Sequence, residues 1–254
     1  MNLKVSIITC TLNSRQFLEQ SIASVLSQDY TEIEYIFVDG GSTDGTLDLI
    51  SEVNRPYFLE REITGGISRA MNRGIEIATG DIIAHLHSDD YYLHDRVISQ
   101  IVEALCSTGA DWCFGRHMED VSGVLKAPQY AIPHYNYRRL LKGNFIPHPS
   151  TFVKKKLFER LGLFNETIKY AMDYDMWLRL GKVSNPAQLD EYLSAFRVHQ
   201  NSLSTANKLA GLKESHAVRL KYLSCSWPER IMPEIRYRVR KLRMKRTIAK
   251  DPAE

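Results

Sequence analysis

Acidic residues occur at three points where predicted strands end. They are Asp39, the adjacent pair Asp89 and Asp90, and Asp173. Carboxylates hold hard divalent cations through oxygen, and a partly desolvated carboxylate can take a proton from a hydroxyl group. In an open α/β sheet the ligand crevice lies outside the carboxyl ends of the strands, so we expect these acids to face one crevice. Helix capping and turn formation are the structural alternative for each acid taken alone.

The elements that must position these acids alternate between strands and helices. Strands are predicted at residues 5–9, 33–39 and 81–87, and amphipathic helices at 17–26, 67–78 and 96–106. This alternation is typical of βαβ units around a mostly parallel sheet flanked by helices. After residue 120 the periodicity weakens, and a Ser-Gly turn, prolines and aromatic residues indicate substrate-facing rim loops. The aromatic residues concerned are Tyr130, Tyr135, Tyr137 and Phe145.

The composition is that of a soluble globular protein. Hydrophobic residues make up 44% of the 254 positions and charged residues 25%, which excludes disorder and collagen-like structure for the main body. The N-terminal segment lacks the apolar core of a signal peptide, and no stretch has membrane-spanning length, so we expect a cytoplasmic protein. The four cysteines lack the spacing of a zinc site or a disulfide framework.

Five segments occur in a fixed order: SIITCTLN, VDGGSTDGT, AMNRGIEIATGDII, HLHSDD and DYDMWLRL. In that order and at those separations they resemble glycosyltransferase family two, over roughly residues 3–200. The resemblance implies the GT-A fold, a nucleotide-sugar donor, inversion at the anomeric carbon and a Mn²⁺ or Mg²⁺ ion. It also implies one domain over residues 1–205, with a donor half (1–120) and an acceptor and base half (121–205). C-terminal helices would follow over 206–254.

The resemblance places Asp39 against the base of the nucleotide. A carboxylate only accepts hydrogen bonds, so it can receive the N3–H of uracil or thymine but repels the unprotonated N3 of cytosine. UDP- or dTDP-sugars are therefore the expected donors, with GDP as an alternative because guanine offers N1–H. Further donor contacts are implied for Thr9, Cys10, Thr11, Asn13 and Ser42.

The HSDD segment matches the metal motif of the family. In that motif the first of the paired carboxylates, here Asp89, bonds the ribose, and the second, Asp90, ligates the ion that bridges the diphosphate. One protein carboxylate can suffice because the diphosphate supplies further oxygens. His87 stands where many relatives have Asp or Asn. FRVHQNS resembles a late family segment whose histidine, here His199, approaches the ion or the diphosphate, and a structural histidine is the alternative.

Asp173 matches the catalytic base of the family. The base accepts a proton from the acceptor hydroxyl while its oxygen attacks the anomeric carbon from the face opposite the leaving diphosphate. Met172 replaces the first acid of the pair that relatives usually carry at this point. Asp175, two residues further on, is the competing candidate, and helix capping is its structural alternative.

Three further residues are weaker candidates. Arg69 and Asn72 are three apart on one face of the predicted helix 67–78, and both are expected to approach the donor. Relatives often carry Asp at the position of Arg69, so a plain surface residue is its alternative. His148 lies between two prolines and is expected to line the acceptor pocket, with a packed loop as the alternative.

Two other classes of function compete with an active transferase. The departures at His87, Met172 and Arg69 would suit a catalytically silent subunit that binds a nucleotide sugar or acts as a scaffold. The retention of Asp39, Asp89, Asp90 and Asp173 together favours an enzyme. A nucleic-acid binder is disfavoured because the body is slightly acidic and contains no recognised nucleic-acid motif.

The C-terminal segment carries the basic character of the chain. From Pro228 to Glu254 there are nine Lys or Arg residues against four acids, although the whole chain has a net charge of only +3. An apolar stripe runs between these charges through Ile231, Ile235, Val239 and Leu242. A helix of this kind can lie on an anionic membrane, which predicts a peripheral protein that acts on a lipid-linked or cell-surface glycan. The alternative is that the stripe packs on the protein itself or on a second subunit.

Overall fold

The computed structural model describes residues 3–130, 132–199, 202, 207–223 and 227–250. The strands are β1 (Val5–Thr11), β2 (Ile33–Asp39), β3 (Tyr57–Glu60), β4 (Ile82–His85), β5 (Tyr91–Tyr92), β6 (Trp112–Val121), β7 (Val124–Lys126), β8 (Thr151–Lys154) and β9 (Ala187–Val198). The helices are α1 (Arg15–Leu26), α2 (Thr46–Ser51), α3 (Ile67–Ile77), α4 (Val97–Thr108), α5 (Tyr137–Leu140), α6 (Lys155–Leu161), α7 (Met172–Val183), α8 (Lys208–Tyr222) and α9 (Trp227–Lys250). A 3₁₀ turn spans His148–Ser150.

The sheet is mixed, which corrects the expectation of a mostly parallel one. Its order is β3-β2-β1-β4-β8-β6-β9-β5, with β7 paired to β6. The first four strands are parallel, as βαβ units require, but β8 runs antiparallel to both β4 and β6, and β5 runs antiparallel to β9. Strand β8 is reached from β7 through the long 127–150 segment rather than through a βαβ crossover, so it can pair antiparallel with both β4 and β6.

The core lies on both faces of the sheet, because alternate side chains of a strand point to opposite sides. On β1, Val5 and Ile7 pack with α1 and α4, whereas Ile8 and Cys10 pack with α3 and α7. Helix α3 lies directly against β1, since a Cβ atom at Gly74 would come within 2.5 Å of the Ile8 side chain. Close packing on both faces fixes the carboxyl ends of β1, β2 and β4 relative to one another.

The Ser-Gly turn predicted after residue 120 is confirmed. Ser122 and Gly123 both have positive φ angles, of 53° and 84°, and join β6 to β7 as a two-residue hairpin. The four aromatic residues beyond the turn differ in burial. Phe145 is buried in the core and Tyr135 and Tyr137 pack against it, whereas Tyr130 is 51% exposed. Of the four aromatic residues expected at the substrate, only Tyr130 therefore lies at the surface.

Helices α8 and α9 pack against each other near the end of the chain. The Tyr237 ring stacks on His216 with centroids 4.2 Å apart, and Pro233, one turn earlier on α9, is buried. The opposite side of α9 faces outward, so Ile235, Val239 and Leu242 are 48%, 40% and 58% exposed. Within the described residues, no helix combines the length and apolar character needed to cross a membrane.

Candidate active site

Asp39, at the end of β2, anchors the turn that follows it. Its Oδ1 accepts the backbone N–H groups of Gly41 and Ser42 at 2.9 and 2.8 Å, and its Oδ2 accepts the hydroxyls of Thr11 and Ser42 at 2.7 and 2.6 Å. Burial alone would raise the pKa of Asp39, but these bonds hold it below its usual value. The carboxylate is fully buried, and a bond to a nucleotide base would compete with these four donors.

The other residues of the β1 edge differ in exposure. Thr9 is buried and its hydroxyl donates to the Leu86 carbonyl at 2.8 Å, while Cys10 belongs to the hydrophobic core. Asn13 is exposed, with a φ of 50°, and its side-chain oxygen accepts the N–H of Thr43 at 2.9 Å. Ser42 accepts the Asn13 N–H at 2.8 Å and so ties the two strand ends together. Side-chain contact with a donor is open to Asn13, whereas Thr9 and Cys10 are covered.

The Asp89–Asp90 turn lies beyond the end of β4. Asp90 is only 2% exposed, and its Oδ1 accepts the backbone N–H of Arg197 at 3.1 Å. Burial and the adjacent Asp89 charge raise the pKa of Asp90 well above its usual value. Asp89 is less buried, and its Oδ2 lies 2.9 Å from Nε2 of His199. The sequence-predicted residues Asp89, Asp90 and His199 are therefore brought together.

The side chains at this turn fit a divalent cation that takes its remaining oxygen ligands from a bound molecule. A buried carboxylate with a raised pKa is one that a cation would stabilise in the ionised form. Among the described residues, no group of three or more His, Cys, Asp or Glu side chains could hold a metal ion alone. The missing oxygens would come from a diphosphate, as hard cations prefer.

Asp173 lies in the first turn of α7, and the preceding element is helix α6, which corrects the expectation that it follows a strand. Its Oδ2 accepts Nδ2 of Asn144 at 2.9 Å, and its Oδ1 accepts the N–H of Tyr174 at 2.6 Å. Burial raises the pKa of Asp173 to about 6, against the lowering effect of these two bonds. A carboxylate with this pKa is ionised at neutral pH and basic enough to accept a proton.

Asp175 is held differently, although it lies only two residues away. Its Oδ2 pairs with Arg179 at 3.0 Å, and its Oδ1 accepts the hydroxyl of Tyr222 at 2.8 Å. Asp175 is 5% exposed, and Arg179 also donates to the carbonyls of Leu161, Gly162 and Leu163. Both of its oxygens are therefore engaged in holding α7 to α8 and to the loop after α6.

Three histidines connect the Asp89–Asp90 turn to α7. The His148 ring lies 5.5 Å from the His85 ring and 5.2 Å from the His87 ring, between centroids, and its edge meets Trp177 at 5.5 Å. Trp177 is one helical turn after Asp173. Burial lowers the pKa of all three histidines, that of His85 to about 3, and so keeps them neutral. Nε2 of His148 is buried without a hydrogen-bond partner, so His148 packs in this cluster with that atom covered.

Arg69 and Asn72 of α3 are not equivalent in the structure. Arg69 is exposed and covers Gly65, whose Cβ position lies 2.9 Å from the Arg69 Cδ atom. Asn72 is buried, and its amide exchanges two hydrogen bonds with the backbone of Phe164 at 2.9 Å each. Donor contact by either residue stays a prediction, and for Asn72 the described bonds already account for its position.

A cavity of about 290 Å³ opens beside β6 and β9. It is lined by Arg116, His117, Pro128, Tyr130, Ile132 and Tyr192. Burial, followed by the charges of Glu119 and Asp173, raises the pKa of Tyr130. Aromatic faces with polar groups beside them suit a sugar.

Residues 6–162 match the model of the family described as "Glycosyl transferase family 2". That match covers more than half of the 254 residues. The chain belongs to this family. It is therefore a glycosyltransferase of family 2, and the assignment made from its motifs is confirmed.

Relatives of this family 2 chain include characterised enzymes and solved structures. It is 30% identical over 220 residues to the Escherichia coli UDP-Glc:alpha-D-GlcNAc-diphosphoundecaprenol beta-1,3-glucosyltransferase WfaP, covering 82% of both chains. It superposes with a TM-score of 0.72 at 19% identity on S. aureus TarS 1-349 in complex with UDP-GlcNAc, over 85% of this chain and 65% of that one. It superposes with a TM-score of 0.70 at 16% identity on the mannosyltransferase PcManGT from Pyrobaculum calidifontis in complex with GDP-Man and Mn²⁺. That match covers 93% of this chain and 70% of that one. The structural matches establish the GT-A-like fold.

Arg197 is a residue of the candidate site that the sequence analysis missed. Its Nε donates to the Asp89 carbonyl at 3.0 Å, its backbone N–H donates to Asp90, and its guanidinium lies 4.6 Å from the Phe17 ring centroid. It also pairs with the buried Asp120 at 3.5 Å. Arg197 thus holds the Asp89–Asp90 turn in place. Its nearness to His199 within FRVHQNS was the only sequence signal.

Proposed function

We propose that this family 2 chain is an inverting, metal-dependent transferase that moves a sugar from a UDP- or dTDP-sugar to an acceptor hydroxyl. Asp173 takes the hydroxyl proton as the acceptor oxygen bonds to the anomeric carbon, and the nucleoside diphosphate leaves from the opposite face. The observation that carries the proposal is the partly exposed Asp173 carboxylate at the start of α7. Asn144 orients it, and its pKa of about 6 suits a general base, whereas Asp175 is engaged in structure.

The donor side of the proposal rests on the Asp89–Asp90 turn. Asp89 would bond the ribose, and Asp90, with His199 nearby, would hold Mn²⁺ or Mg²⁺. A bound cation would neutralise charge on the leaving diphosphate as a Lewis acid. Support comes from neighbours of the same fold, one solved with UDP-GlcNAc and one with GDP-Man and Mn²⁺.

The acceptor side rests on the relatives and on two surfaces of this chain. The name of the Escherichia coli relative gives a sugar joined to diphosphoundecaprenol as its acceptor. A lipid-linked or cell-surface glycan is the acceptor that we propose here, with its sugar in the cavity beside Tyr130. The protein would work at the cytoplasmic face of a membrane, with the outward side of α9 against anionic lipid.

A catalytically silent subunit is the second candidate, favoured by His87 and Met172. These departures do not remove a proposed role, because His87 belongs to the neutral histidine cluster and Met172 is buried in the core. Asp173 and Asp90 retain the environments that chemistry needs. The active enzyme therefore accounts for more of the observations.

The test of the proposal is release of the nucleotide from a panel of nucleotide sugars, with and without Mn²⁺. We expect release from at least one UDP- or dTDP-sugar, and loss of release in excess chelator and in the Asp90→Ala variant. Thermal stabilisation by the same donor should weaken in Asp90→Ala, because the diphosphate loses its counter-charge. Full activity in chelator would exclude the metal, and no release from any donor would favour the silent subunit.

The identity of the base in the nucleotide gives a second prediction. UDP or dTDP with Mn²⁺ should raise the melting temperature and CDP should not, because only uracil and thymine present an N–H to Asp39. Equal shifts from all three nucleotides would remove Asp39 from the base contact. Asp39 would then act only as the anchor of the 39–42 turn, through the four bonds that it already accepts.

A further inference from the structure

A second cavity, of about 160 Å³, lies between α8, α9 and the loop that carries Asn144. Six of its lining residues matter here: Asn144, Tyr174, His216, Arg219, Arg236 and Arg240. Three of the six are arginines. Two of the lining residues adjoin the proposed base. Asn144 donates to Asp173 at 2.9 Å, and Tyr174 follows Asp173 in sequence.

Arg219 is the buried member of this group. It is 6% exposed, and its Nη1 donates to the Lys142 carbonyl at 2.9 Å. Its Nη2 lies 2.8 Å from Nδ1 of His216, which must accept because a guanidinium only donates. Nε of Arg219 is buried and has no partner. Burial lowers the pKa of Arg219, and the charges of Arg240 and Arg236 add to the effect.

No acid neutralises these three arginines in the described part of the chain. Glu234 of α9 bonds Arg238 at 2.7 Å and His216 at 2.9 Å instead. His216 is neutral in this arrangement, because Nδ1 accepts from Arg219 while Nε2 donates to Glu234. A buried guanidinium without a counter-ion is costly, and a phosphate offers the oxygens that arginine binds best.

We propose that this cavity binds a phosphate or diphosphate group carried by the acceptor. The inference rests on the proposed function and adds to it the chemical class of the acceptor. The Arg240 guanidinium reaches to 3.7 Å from the Cβ position of Gly143, the residue before Asn144. An oxyanion between Arg219 and Arg240 would therefore lie one residue from the group that orients Asp173.

The position of the cavity argues for the acceptor rather than the donor. The donor diphosphate is assigned to the Asp89–Asp90 turn, where Arg197 and His199 of the β9 end approach. The arginine cavity is built instead on α8 and α9, beside the carboxylate that faces the acceptor hydroxyl. The outward side of α9 carries exposed apolar residues, Ile235, Val239 and Leu242, which suits an acceptor whose phosphate joins a sugar to a lipid.

The test measures by calorimetry the binding of inorganic pyrophosphate to the full chain in excess EDTA. Wild type should bind, and Arg240→Gln should bind about ten- to a hundred-fold more weakly, the usual effect of one charge-assisted hydrogen bond. Arg246→Gln is the matched control, because it removes the same charge from an exposed position on the same helix outside the cavity. No binding by wild type, or equal weakening in both variants, would overturn the proposal.

Two further arms identify the source of the phosphate. Asp90→Asn should keep its pyrophosphate affinity in EDTA, and a gain there, from removal of a carboxylate that repels the anion, would assign the anion to the donor site. A short-chain alkyl diphosphate should bind more tightly than dihexanoyl phosphatidylglycerol, and the reverse order would make the cavity a headgroup site. Nucleotide release with Mn²⁺ is measured separately, so a failed transferase activity and a failed anion site give different results.

Discussion

The carboxylates around the site differ in the groups that each one contacts. Asp39 accepts four hydrogen bonds, and Asp175 pairs with Arg179 and Tyr222, so these two stabilise local structure. Asp90 is buried and accepts one backbone N–H, whereas Asp173 is partly exposed and accepts Asn144 and the Tyr174 N–H. Desolvation raises the pKa of both. A desolvated acid with a raised pKa is suited to chemistry or to a cation. Residue type alone therefore does not separate the two groups, but their hydrogen bonds do.

Asp173→Asn tests the general base. Turnover should fall by about two to four orders of magnitude, the size of a general-base contribution, while donor affinity stays close to that of wild type. In wild type, kcat/KM should fall as the pH drops below about 6, because protonated Asp173 cannot accept the hydroxyl proton. Steady-state kinetics between pH 5 and pH 8, with the donor that the nucleotide-release assay identifies, measure both effects.

Asp175→Asn is the matched control for that measurement. It makes the same chemical change two residues away, but it weakens a buried ion pair with Arg179 and a bond from Tyr222. We expect a lower melting temperature with turnover much less affected. If Asp175→Asn instead loses turnover and Asp173→Asn does not, the base is Asp175.

Elements far apart in sequence build the floor of the site. His85 ends β4, His87 follows it, and His148 begins the 3₁₀ turn before β8. Nε2 of His85, Nδ1 of His87 and Nε2 of His148 are buried without partners, so the cluster tolerates only neutral rings. Protonation would place charges beside one another in a desolvated space. The packing of β4 against β8 therefore depends on pH.

Stability should decrease in acid because of this cluster. The folded pKa of His85 is about 3, below its model-peptide value of 6.5, so between those pH values the unfolded chain binds a proton that the folded protein excludes. The free energy of unfolding then falls as the pH falls, by about 1.4 kcal/mol per pH unit for one such histidine. In urea unfolding between pH 7 and pH 4, the free energy of unfolding of His85→Leu should change less with pH than that of wild type. His134→Leu, at an exposed position, should keep the wild-type dependence on pH.

The elements that follow a local pattern were predictable from sequence, and those set by distant pairing were not. Strand β2 has the predicted bounds of 33–39, and α3 ends one residue before the predicted 78. Strand β9 was missed because its partner β6 lies about seventy residues earlier and its side chains do not alternate clearly. Arg197 and the histidine cluster depend on that pairing and on the 3₁₀ turn. The acids of the motifs were found, but their hydrogen-bond partners were not.

Charge and apolar surface are distributed unevenly over the whole molecule. The C-terminal segment from Pro228 carries nine of the 33 Lys and Arg residues, and the remainder of the chain is slightly acidic. Within the described residues, Ile235, Val239 and Leu242 of the α9 stripe are exposed, while the other side of α9 contacts α8 through Tyr237. These three residues of the stripe therefore do not pack fully on the described body of the protein, which was one alternative for it. An anionic membrane or a second subunit would cover it.

Binding to anionic vesicles should depend on this segment. Each basic residue near an anionic surface adds on the order of 1 kcal/mol, so several together exceed the weak insertion of a short stripe. In a sedimentation assay, binding should require phosphatidylglycerol, fall steeply with added salt and vanish when the chain ends before Pro228. The double variant Val239→Ser with Leu242→Ser keeps every charge, and it should bind more weakly because less apolar surface is buried. If truncation leaves binding unchanged, or the intact protein ignores anionic vesicles at low salt, membrane association is wrong and a second subunit is left as the partner of α9.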